Sequence, residues 1–548
     1  MDPRALSSED REKSMAEIIR KQEDLNHKQL EAGPRAIKDL NKVLADLRRE
    51  YDSLHNAGLP IFTLPNEVLE EVFQCAADMT RDEPTWDPNL GDLTKALTEI
   101  RITHVCSQFR KIALRLSSLW AFFSNVGRGK EDTAKRFKLY LQRSKSHPLE
   151  LWIDFRNQTS VPRDLLRLAV EHVERWQYIT ILYNENAVGA SKIQQWLGGS
   201  KAPLLEHLDL GLHGGHPSGW TKHEQETRCS DTAPSILEGG CPRLTSLRLG
   251  AFFASKLLPP ISTVTHLSIE FSFTYMGPRQ FQPPIPWDVF TKILKLPLLS
   301  FSIDDGCIRG NPAAQTSAIT LPHLKHLRLG RTRSLGFQPI SVLISQFLVN
   351  LVAPALESLT FDRICICLPF DPEQPVPMSF PQLHSVYALP HLRNWGEEVA
   401  WLRVLSEASP AVRSFSGTFT PEHHSRGESE REVGCLLDAS SPHGMIWPTL
   451  EKLAVLHPVE DAGKLEEFVK LRSTPDRRFT LKVPLDDACC WNSPTCSTGY
   501  HKYEVLFNLG ELSPWDSTDE VFPRAMWPPG ENLIRRPKFA KSFLEGRF

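Results

Sequence analysis

The segment that decides the fold is Pro322-His323-Leu324-Lys325-His326-Leu327-Arg328-Leu329. Its last three residues alternate apolar, polar, apolar, a pattern that predicts a short strand with one buried face. The same template, Pro-x-Leu-x-x-Leu-x-Leu with Phe or Val also accepted at the end, begins again at Pro203, Pro242, Pro354 and Pro448. Looser copies follow Pro381 and Pro410 and surround Leu267 and Phe301. The chain therefore contains an internal repeat.

Apolar residues at helical spacing stand before several of these strands. They precede Pro354 as Val342, Ile344, Phe347, Leu348 and Leu351, and they precede Pro410 as Val399, Leu402 and Leu405. Each unit then reads as helix, turn and strand, and no unit of this size buries its apolar face alone. Stacking the units predicts a solenoid with a parallel sheet on one side and helices on the other.

This pattern resembles the leucine-rich repeat, Leu-x-x-Leu-x-Leu, in an irregular form. The consensus Asn or Cys after the strand is mostly absent, and Gly211, Gly250 and Gly330 stand near that place instead. The fold class that we expect is therefore α/β, with a small helical module followed by an irregular leucine-rich-repeat-like solenoid. The resemblance implies an extended binding face on the sheet side of the solenoid.

The residues between the apolar positions of each strand form the candidate substrate face. Their side chains point away from the apolar core of the repeat, and stacking should align them. They are His207, Asp209, Ser246, Arg248, His326, Arg328, Ser358, Thr360 and Lys452. Arg248 and Arg328 hold equivalent places and suit an acidic or phosphorylated ligand. A solvated strand face without a partner explains the same residues equally well.

A second informative stretch runs from Leu64 to Trp120 and predicts a pair of helices. Pro65 and Glu67 fit a first helical turn, because proline needs no N–H partner there and a carboxylate favours the positive end of the helix dipole. The apolar residues that follow lie on one stripe: Val68, Leu69, Val72 and Phe73. A second stripe is formed by Ile102, Val105, Phe109, Ile112 and Leu116. Two short helices bury too little surface to be stable alone.

The opening Leu-Pro-Asn-Glu-Val-Leu, the later Val-Cys-x-x-Phe-Arg and the closing Leu-Trp resemble the F-box. This resemblance implies docking on a Skp-type adaptor and, through it, on a cullin–RING ubiquitin ligase. The residues that match the docking positions are Leu64, Pro65, Val68, Leu69, Val105, Cys106, Phe109, Leu119 and Trp120. The sequence departs from the family between the helices, where residues 78–99 form a longer, acidic insert that contains Pro84 and Pro88.

A charged helical region precedes this pair. Its strict a/d seam consists of Ile37, Leu40, Leu44, Leu47, Tyr51 and Leu54. Three heptads allow a short coiled coil, a helix that lies back on the F-box-like segment, or a helical hairpin. The expected domains are 1–58 as the helical or coiled-coil region, 59–125 as the F-box, 146–485 as the repeat array and 486–548 as a cap or tail. The N-terminal charged helix also resembles the large fungal set of F-box proteins.

Composition narrows the function further. A net charge of −3 argues against a dedicated nucleic-acid or membrane-surface protein, and the first residues lack the apolar core of a signal peptide. With 11 scattered cysteines and no framework of spacings, the chain is expected in a reducing compartment, the cytoplasm or the nucleus. Cys489, Cys490, Cys496 and His501 have poor zinc spacing, because the first two are adjacent. No metal and no other cofactor is predicted.

The motifs of common enzyme classes are absent from the sequence. It contains no Gly-x-Ser-x-Gly elbow, no phosphate-binding Gly-x₄-Gly-Lys-Ser/Thr loop and no His-Glu-x-x-His. The expectation is therefore a non-enzymatic substrate adaptor of a ubiquitin ligase, which binds an unknown protein substrate through its repeats. The alternative is a repeat scaffold for protein–protein interaction, without any ligase, in which the helical pair caps the solenoid.

Overall fold

The computed structural model describes nineteen segments of the chain. They are residues 7–31, 34–57, 59–82, 97–125, 130–154, 163–183, 190–212, 234–251, 257–270, 285–304, 307–309, 318–330, 342–362, 377–389, 395–417, 446–455, 468–472, 479–484 and 512–515. The weak zinc candidates between Cys489 and His501, most of the acidic insert and most of the predicted tail lie outside these segments.

The chain divides into two compact units. The first comprises Met1–Thr80 and Lys95–Leu119, and the second comprises Arg81–Thr94 and Trp120–Phe548. The predicted helical region 1–58 and most of the predicted F-box segment therefore belong to one unit. The end of that segment, from Trp120 onward, belongs to the other.

The first unit is helical. Its helices are α1 (Ser8–Glu31), α2 (Pro34–Ala57), α3 (Asn66–Asp82), α4 (Thr98–Val105) and α5 (Ser107–Arg115), with a 3₁₀ turn at Pro60–Thr63. The Gln29 amide of α1 donates to the Asn41 side chain of α2 over 3.0 Å. The pKa of Lys21 on α1 is raised mainly by its hydrogen bond to Glu17, and Glu50 on α2 raises it further. The first link joins the end of α1 to the first half of α2, and the second joins Lys21, further back in α1, to Glu50, further along α2. The two helices therefore form an antiparallel hairpin, one of the arrangements that the a/d seam allowed.

The second unit is built on one large parallel sheet. Its strands follow the chain in the order β1-β2-β3-β4-β5-β6-β8-β11-β13-β14-β15-β16-β17-β18. They are β1 (Phe122–Ser124), β2 (Leu149–Asp154), β3 (Trp176–Tyr183), β4 (His207–Leu212), β5 (Ser246–Gly250), β6 (His266–Glu270), β8 (Ser300–Asp304), β11 (His326–Gly330), β13 (Ser358–Asp362), β14 (Ser385–Leu389), β15 (Ser414–Gly417), β16 (Lys452–Val455), β17 (Thr480–Pro484) and β18 (Leu512–Trp515). The fold is thus α/β with a parallel sheet, as predicted.

Every predicted Leu-x-Leu segment forms a strand of this sheet. Four short strands stand outside it, with β7 (Ile285–Pro286) parallel to β9 (Ile308–Arg309) and β10 (Ile319–Thr320) parallel to β12 (Leu351–Val352). The helices between strands are α6 (Lys130–Arg143), α7 (Arg163–Val170), α8 (Ala190–Leu197), α9 (Trp287–Ile293), α10 (Val342–Val349) and α11 (Trp395–Ala408). The helical spacings before Pro354 and Pro410 correspond to α10 and α11, so the predicted alternation of helix and strand is confirmed there.

The sheet keeps one register from β4 to β16. Its second strand position is apolar and buried, as in Leu327 between Phe301 and Leu359. The first positions form a row that we call the histidine row: His207, Ser246, His266, Ser300, His326, Ser358, Ser385, Ser414 and Lys452. The third positions form the arginine row: Asp209, Arg248, Ser268, Ser302, Arg328, Thr360, Tyr387, Ser416 and Ala454. The predicted alignment of polar residues across the sheet is therefore confirmed.

The edges of the sheet extend beyond the predicted repeat array. β1 lies within the predicted F-box segment, yet it pairs with β2 and belongs to the sheet. β18 lies within the predicted tail and pairs with β17, with Pro514 in the strand. Proline is tolerated in an edge strand, where no further ladder hydrogen bond is needed.

Candidate functional site

The two sides of α3 differ sharply in exposure. On one side, Leu69 is fully buried and Phe73 packs edge-on against Phe109 with ring centroids 4.8 Å apart. Phe109 also contacts Phe62 of the 3₁₀ turn, with the centroids 5.2 Å apart. This aromatic cluster joins α3 to α5 and forms the core of the helical unit. It explains why Leu69 and Phe109 are not available to a partner.

On the other side, α3 presents an apolar stripe to solvent. Val68 and Val72 are 43% and 40% exposed, and they lie one helical turn apart. The chain just before the helix adds Leu64 (36%) and Ile61 (37%). We call these four residues the α3 stripe. Large apolar residues exposed together on a folded surface indicate an interaction site.

The second predicted helix is broken in two. Cys106 has an extended backbone (φ −158°, ψ 174°), and it caps α5 because its sulfur accepts the Phe109 N–H over 3.4 Å. Val105 at the end of α4 is 56% exposed. The apolar spacing predicted one continuous helix, and it missed the break because cysteine rarely serves as a helix cap.

The predicted docking residues therefore separate into two groups. Leu64, Pro65, Val68 and Val105 are exposed, and Cys106 is half-buried. Leu69, Phe109, Leu119 and Trp120 are buried. Leu69 and Phe109 match docking positions of the motif, but both are buried in the core between α3 and α5, so the predicted docking surface is corrected at these two positions.

Trp120 has a structural role in the second unit. Its ring packs edge-on against Tyr140 with centroids 5.2 Å apart, and the Arg143 guanidinium lies 4.2 Å from the ring centre. Only 1% of its surface is exposed. In this conformation Trp120 supports α6 rather than presenting itself to an adaptor, which corrects its predicted place in the docking surface.

The candidate substrate face is closed over most of its length. His207, Asp209, Arg248, His326, Arg328, Ser358 and Thr360 are all buried. Ser246 and Lys452 are half-buried. Neighbouring strands are about 4.8 Å apart, so long polar side chains on adjacent strands pair with one another instead of standing free. The prediction of an accessible surface at the buried positions is therefore wrong, although the alignment was right.

Arg248 is the centre of one buried ion-pair group. Its guanidinium lies 3.3 Å from Asp209 on β4 and 2.5 Å from Glu270 on β6. Burial alone would lower the pKa of Arg248, but Glu270 and Asp209 outweigh that cost and hold the pKa above its ordinary value. Asp304 on β8 contributes in the same direction. The side chain is therefore a permanently charged structural group.

Arg328 forms the second group. It donates to the Ser302 hydroxyl over 2.8 Å and to Asp304 over 3.3 Å. Gly330 makes room for this pair, because a Cβ added there would stand 2.3 Å from the Asp304 carboxylate and 2.5 Å from Arg328. The glycine near the predicted consensus Asn position thus has a packing reason. Two arginines and three carboxylates are therefore ion-paired with one another on this face of the sheet.

The histidine row is also engaged in the middle of the sheet. His207 Nδ1 lies 2.9 Å from the Ser246 hydroxyl, and His326 Nδ1 lies 2.8 Å from the Ser358 hydroxyl. Each pair joins two adjacent strands. The alternation of histidine and serine in this row, visible in the sequence, therefore supports the register of the sheet.

The same face opens at β14. Ser385, Tyr387 and Ser414 are half-buried, whereas Ser358 and Thr360 on the preceding strand are buried. The residues just before β14 and β15, His384 and Arg413, are exposed. The sequence reasoning missed these residues because their copies of the template are loose. Ser385 and Ser414 hold the register position of His326, and His384 and Arg413 hold the position of Lys325, one residue earlier.

The side chains of this face are mainly polar. Among the described residues, no group of three or more His, Cys, Asp and Glu side chains is placed to hold a metal ion. A membrane-crossing helix, which would need to be both long and strongly apolar, is likewise not found in the described part of the chain. No protein-family model matches the sequence, and no curated protein matches it significantly.

Proposed function

We propose that this chain is a substrate adaptor of an SCF-type cullin–RING ubiquitin ligase. Its helical unit would act as an F-box that docks on a Skp-type adaptor, and its sheet unit would act as an irregular leucine-rich-repeat solenoid that holds a protein substrate. The α3 stripe is the observation that carries the proposal. It exposes Leu64 and Val68 of the F-box-like motif, on the side of α3 that the core does not use.

The proposed role requires no chemistry from this chain. An adaptor acts by raising the effective concentration of a substrate lysine near the loaded conjugating enzyme. We predict that the protein acts in the cytoplasm or the nucleus. Because Leu69, Phe109 and Trp120 are buried, the adaptor would contact a smaller set of residues than the motif alone indicates: Ile61, Leu64, Pro65, Val68, Val72 and Val105.

The test is binding of the purified chain to a purified recombinant Skp-type adaptor. We expect a complex with the wild type, and Val68→Glu with Val72→Glu should weaken it at least about tenfold, because two charges would be buried in an apolar contact. The matched control is Val43→Glu on α2, which is 45% exposed and lies outside the α3 stripe. Circular dichroism should show that all variants remain helical.

Three results would count against the proposal. The wild type could fail to bind the adaptor, in which case the repeat scaffold without a ligase becomes the better explanation. The double variant could bind as well as the wild type. The Val43→Glu control could lose binding to the same extent, which would show that any added charge on the helical unit is harmful.

A further inference from the structure

We infer that the open end of the sheet face, around β14, β15 and β16, binds an acidic segment of a partner protein. We call this surface the β14–β16 patch and define it as His384, Ser385, Tyr387, Arg413, Ser414 and Lys452. This inference concerns the substrate-binding part of the proposed function. Only the outcome of binding, ubiquitin transfer to the partner, rests on the proposed function. It replaces Arg248 and Arg328 as the recognition residues.

The first argument is burial. From β4 to β13, most positions of the arginine and histidine rows are buried, and Arg328 is only 4% exposed. The exceptions are Ser246 and Ser268, which are half-buried. From β14 to β16 each position of the histidine row is half-buried: Ser385, Ser414 and Lys452. The arginine row is half-buried only at Tyr387, because Ser416 and Ala454 are buried. A partner that approaches the polar face can therefore reach these half-buried residues, whereas it cannot reach Arg248 or Arg328.

The second argument is charge. The Arg413 guanidinium is exposed, and among the described residues it has no hydrogen-bond or ion-pair partner. Lys452 is in register with Ser414, one strand from it, so the two cations lie on neighbouring strands. Glu451, which precedes Lys452 on the chain, is in register with Arg413. The three described charges at these positions, Arg413, Lys452 and Glu451, sum to +1. These charges favour an acidic ligand at short range, where salt screens them least.

The third argument is hydrogen bonding. His384 Nδ1 lies 3.1 Å from the Ser385 hydroxyl, and Ser414 is in register with Ser385 on the next strand. The Ser385 and Ser414 hydroxyls lie on neighbouring strands about 4.8 Å apart, and the Arg413 guanidinium stands beside Ser414 as a charged donor. Carboxylate side chains accept such bonds, and charge-assisted bonds are the stronger kind. Tyr387 adds a half-buried ring, which provides apolar contact beside the charges.

The fourth argument is rigidity. Phe415 of β15 packs on the fully buried Trp447, with ring centroids 5.4 Å apart. The Trp447 N–H donates to the Ser406 hydroxyl of α11 over 2.9 Å, and its carbonyl accepts from Arg472 over 2.6 Å. Trp447 holds a positive φ of 45°, a strained conformation that persists only where surrounding contacts enforce it. The patch therefore lies on a firmly held platform, and rigid support favours a binding site.

The experiment uses the full chain and a fluorescein-labelled oligoglutamate peptide, with fluorescence anisotropy at low ionic strength. Wild type should bind the peptide, and added salt should weaken the complex. Arg413→Glu with Lys452→Glu should weaken binding by about tenfold or more, since two attractions become repulsions. The control, Arg243→Glu with Lys295→Glu, makes the same charge change at two exposed positions outside the patch and should stay within about twofold of wild type.

A second pair of variants and a second peptide make every result of this experiment interpretable. If the charge reversals prevent folding, Arg413→Gln with Lys452→Gln gives the same comparison with a smaller loss. The inference is overturned if wild type does not bind oligoglutamate, if the control loses binding equally, or if a glycine-flanked phosphoserine peptide binds while oligoglutamate does not. Adaptor binding through the α3 stripe should be unchanged in all patch variants, so a failure here is distinguishable from a failure of the proposed function.

Discussion

The α3 stripe and the central sheet face reverse the usual relation between polarity and burial. On α3, Val68 and Val72 are exposed, although valine is normally found inside. On β4 to β11, Arg248 and Arg328 are buried, although arginine is normally found outside. A partner that covers the exposed valines would gain the free energy of burying apolar surface. The buried arginines already form their ion pairs within the chain, so they offer a partner no such gain. Polarity alone therefore did not identify which surface is available.

The largest expected effect separates the buried part of the sheet face, at Arg248, from the exposed part, at Arg413. Arg248→Glu places a third carboxylate beside Asp209 and Glu270, and it should lower the free energy of unfolding of the sheet unit by about 3–5 kcal/mol or abolish folding. The same change at exposed Arg413 should cost no more than about 0.5 kcal/mol. Urea unfolding followed by circular dichroism measures both.

The same pair of variants tests whether Arg248 belongs to a solvated strand face. A solvated arginine on a strand face would tolerate reversal, so an equal and small effect for both variants would mean that Arg248 is solvated after all. If both variants unfold the protein, charge at any position of the sheet face would be intolerable. In either case the contrast between the closed and the open part of the face would be lost.

An intermediate effect is expected at Gly330, where the structure leaves no room for a side chain. Gly330→Ala should cost about 1–3 kcal/mol, because the new methyl group must displace the buried pair of Arg328 and Asp304. Gly199→Ala is the control, since a Cβ added there meets no atom within 4 Å. Thermal unfolding of both variants measures the difference.

The cause can be isolated in a second background. When Arg328→Ala and Asp304→Ala have already removed the pair, Gly330→Ala should cost much less than it does in the wild type. An unchanged cost in that background would show that the backbone, and not the ion pair, excludes a side chain at Gly330.

The repeat made most of the sheet predictable, because each Leu-x-Leu alternation fixes which residues face the apolar core. Leu327 and Leu359 were placed correctly, as was the alignment of His326 with Ser358. The sequence could not show that the polar row is closed. The Asp304 partner of Arg328 comes from another copy of the repeat, and its position after Ile303 shows no special pattern.

The helical unit was predictable to a different extent. The motif identified α3 and its exposed valines, but it did not distinguish Val68 from its neighbour Leu69. That distinction depends on where Phe73 and Phe109 pack, which is a tertiary contact between α3 and α5. Likewise, the Leu-Trp that ends the motif read as one element, whereas Trp120 packs on Tyr140 and Arg143 in the other unit.

The last comparison concerns cysteine chemistry in the two regions and involves no loss of folding. Cys75 lies exposed on α3, and Cys241 is buried in the second unit, where its thiol donates to the Pro260 carbonyl over 3.6 Å. Burial raises the pKa of Cys241 from its ordinary 9.0 to about 11. Because the thiolate is the reactive form, iodoacetamide at mildly alkaline pH should modify Cys241 at least about a hundredfold more slowly than Cys75. Mass spectrometry of the two peptides gives the rates.

The direction of the pH dependence follows from the raised pKa. The folded state favours the protonated thiol, so the contribution of Cys241 to stability is full below 9.0 and is lost as the pH rises towards about 11. Labelling of Cys241 should therefore continue to rise with pH up to about 11. The Skp-type adaptor supplies the control: if it covers the α3 stripe next to Cys75, it should slow Cys75 and leave Cys241 unchanged. Equal rates for the two thiols would contradict the burial of Cys241, and slowing of both by the adaptor would place its contact elsewhere than on α3.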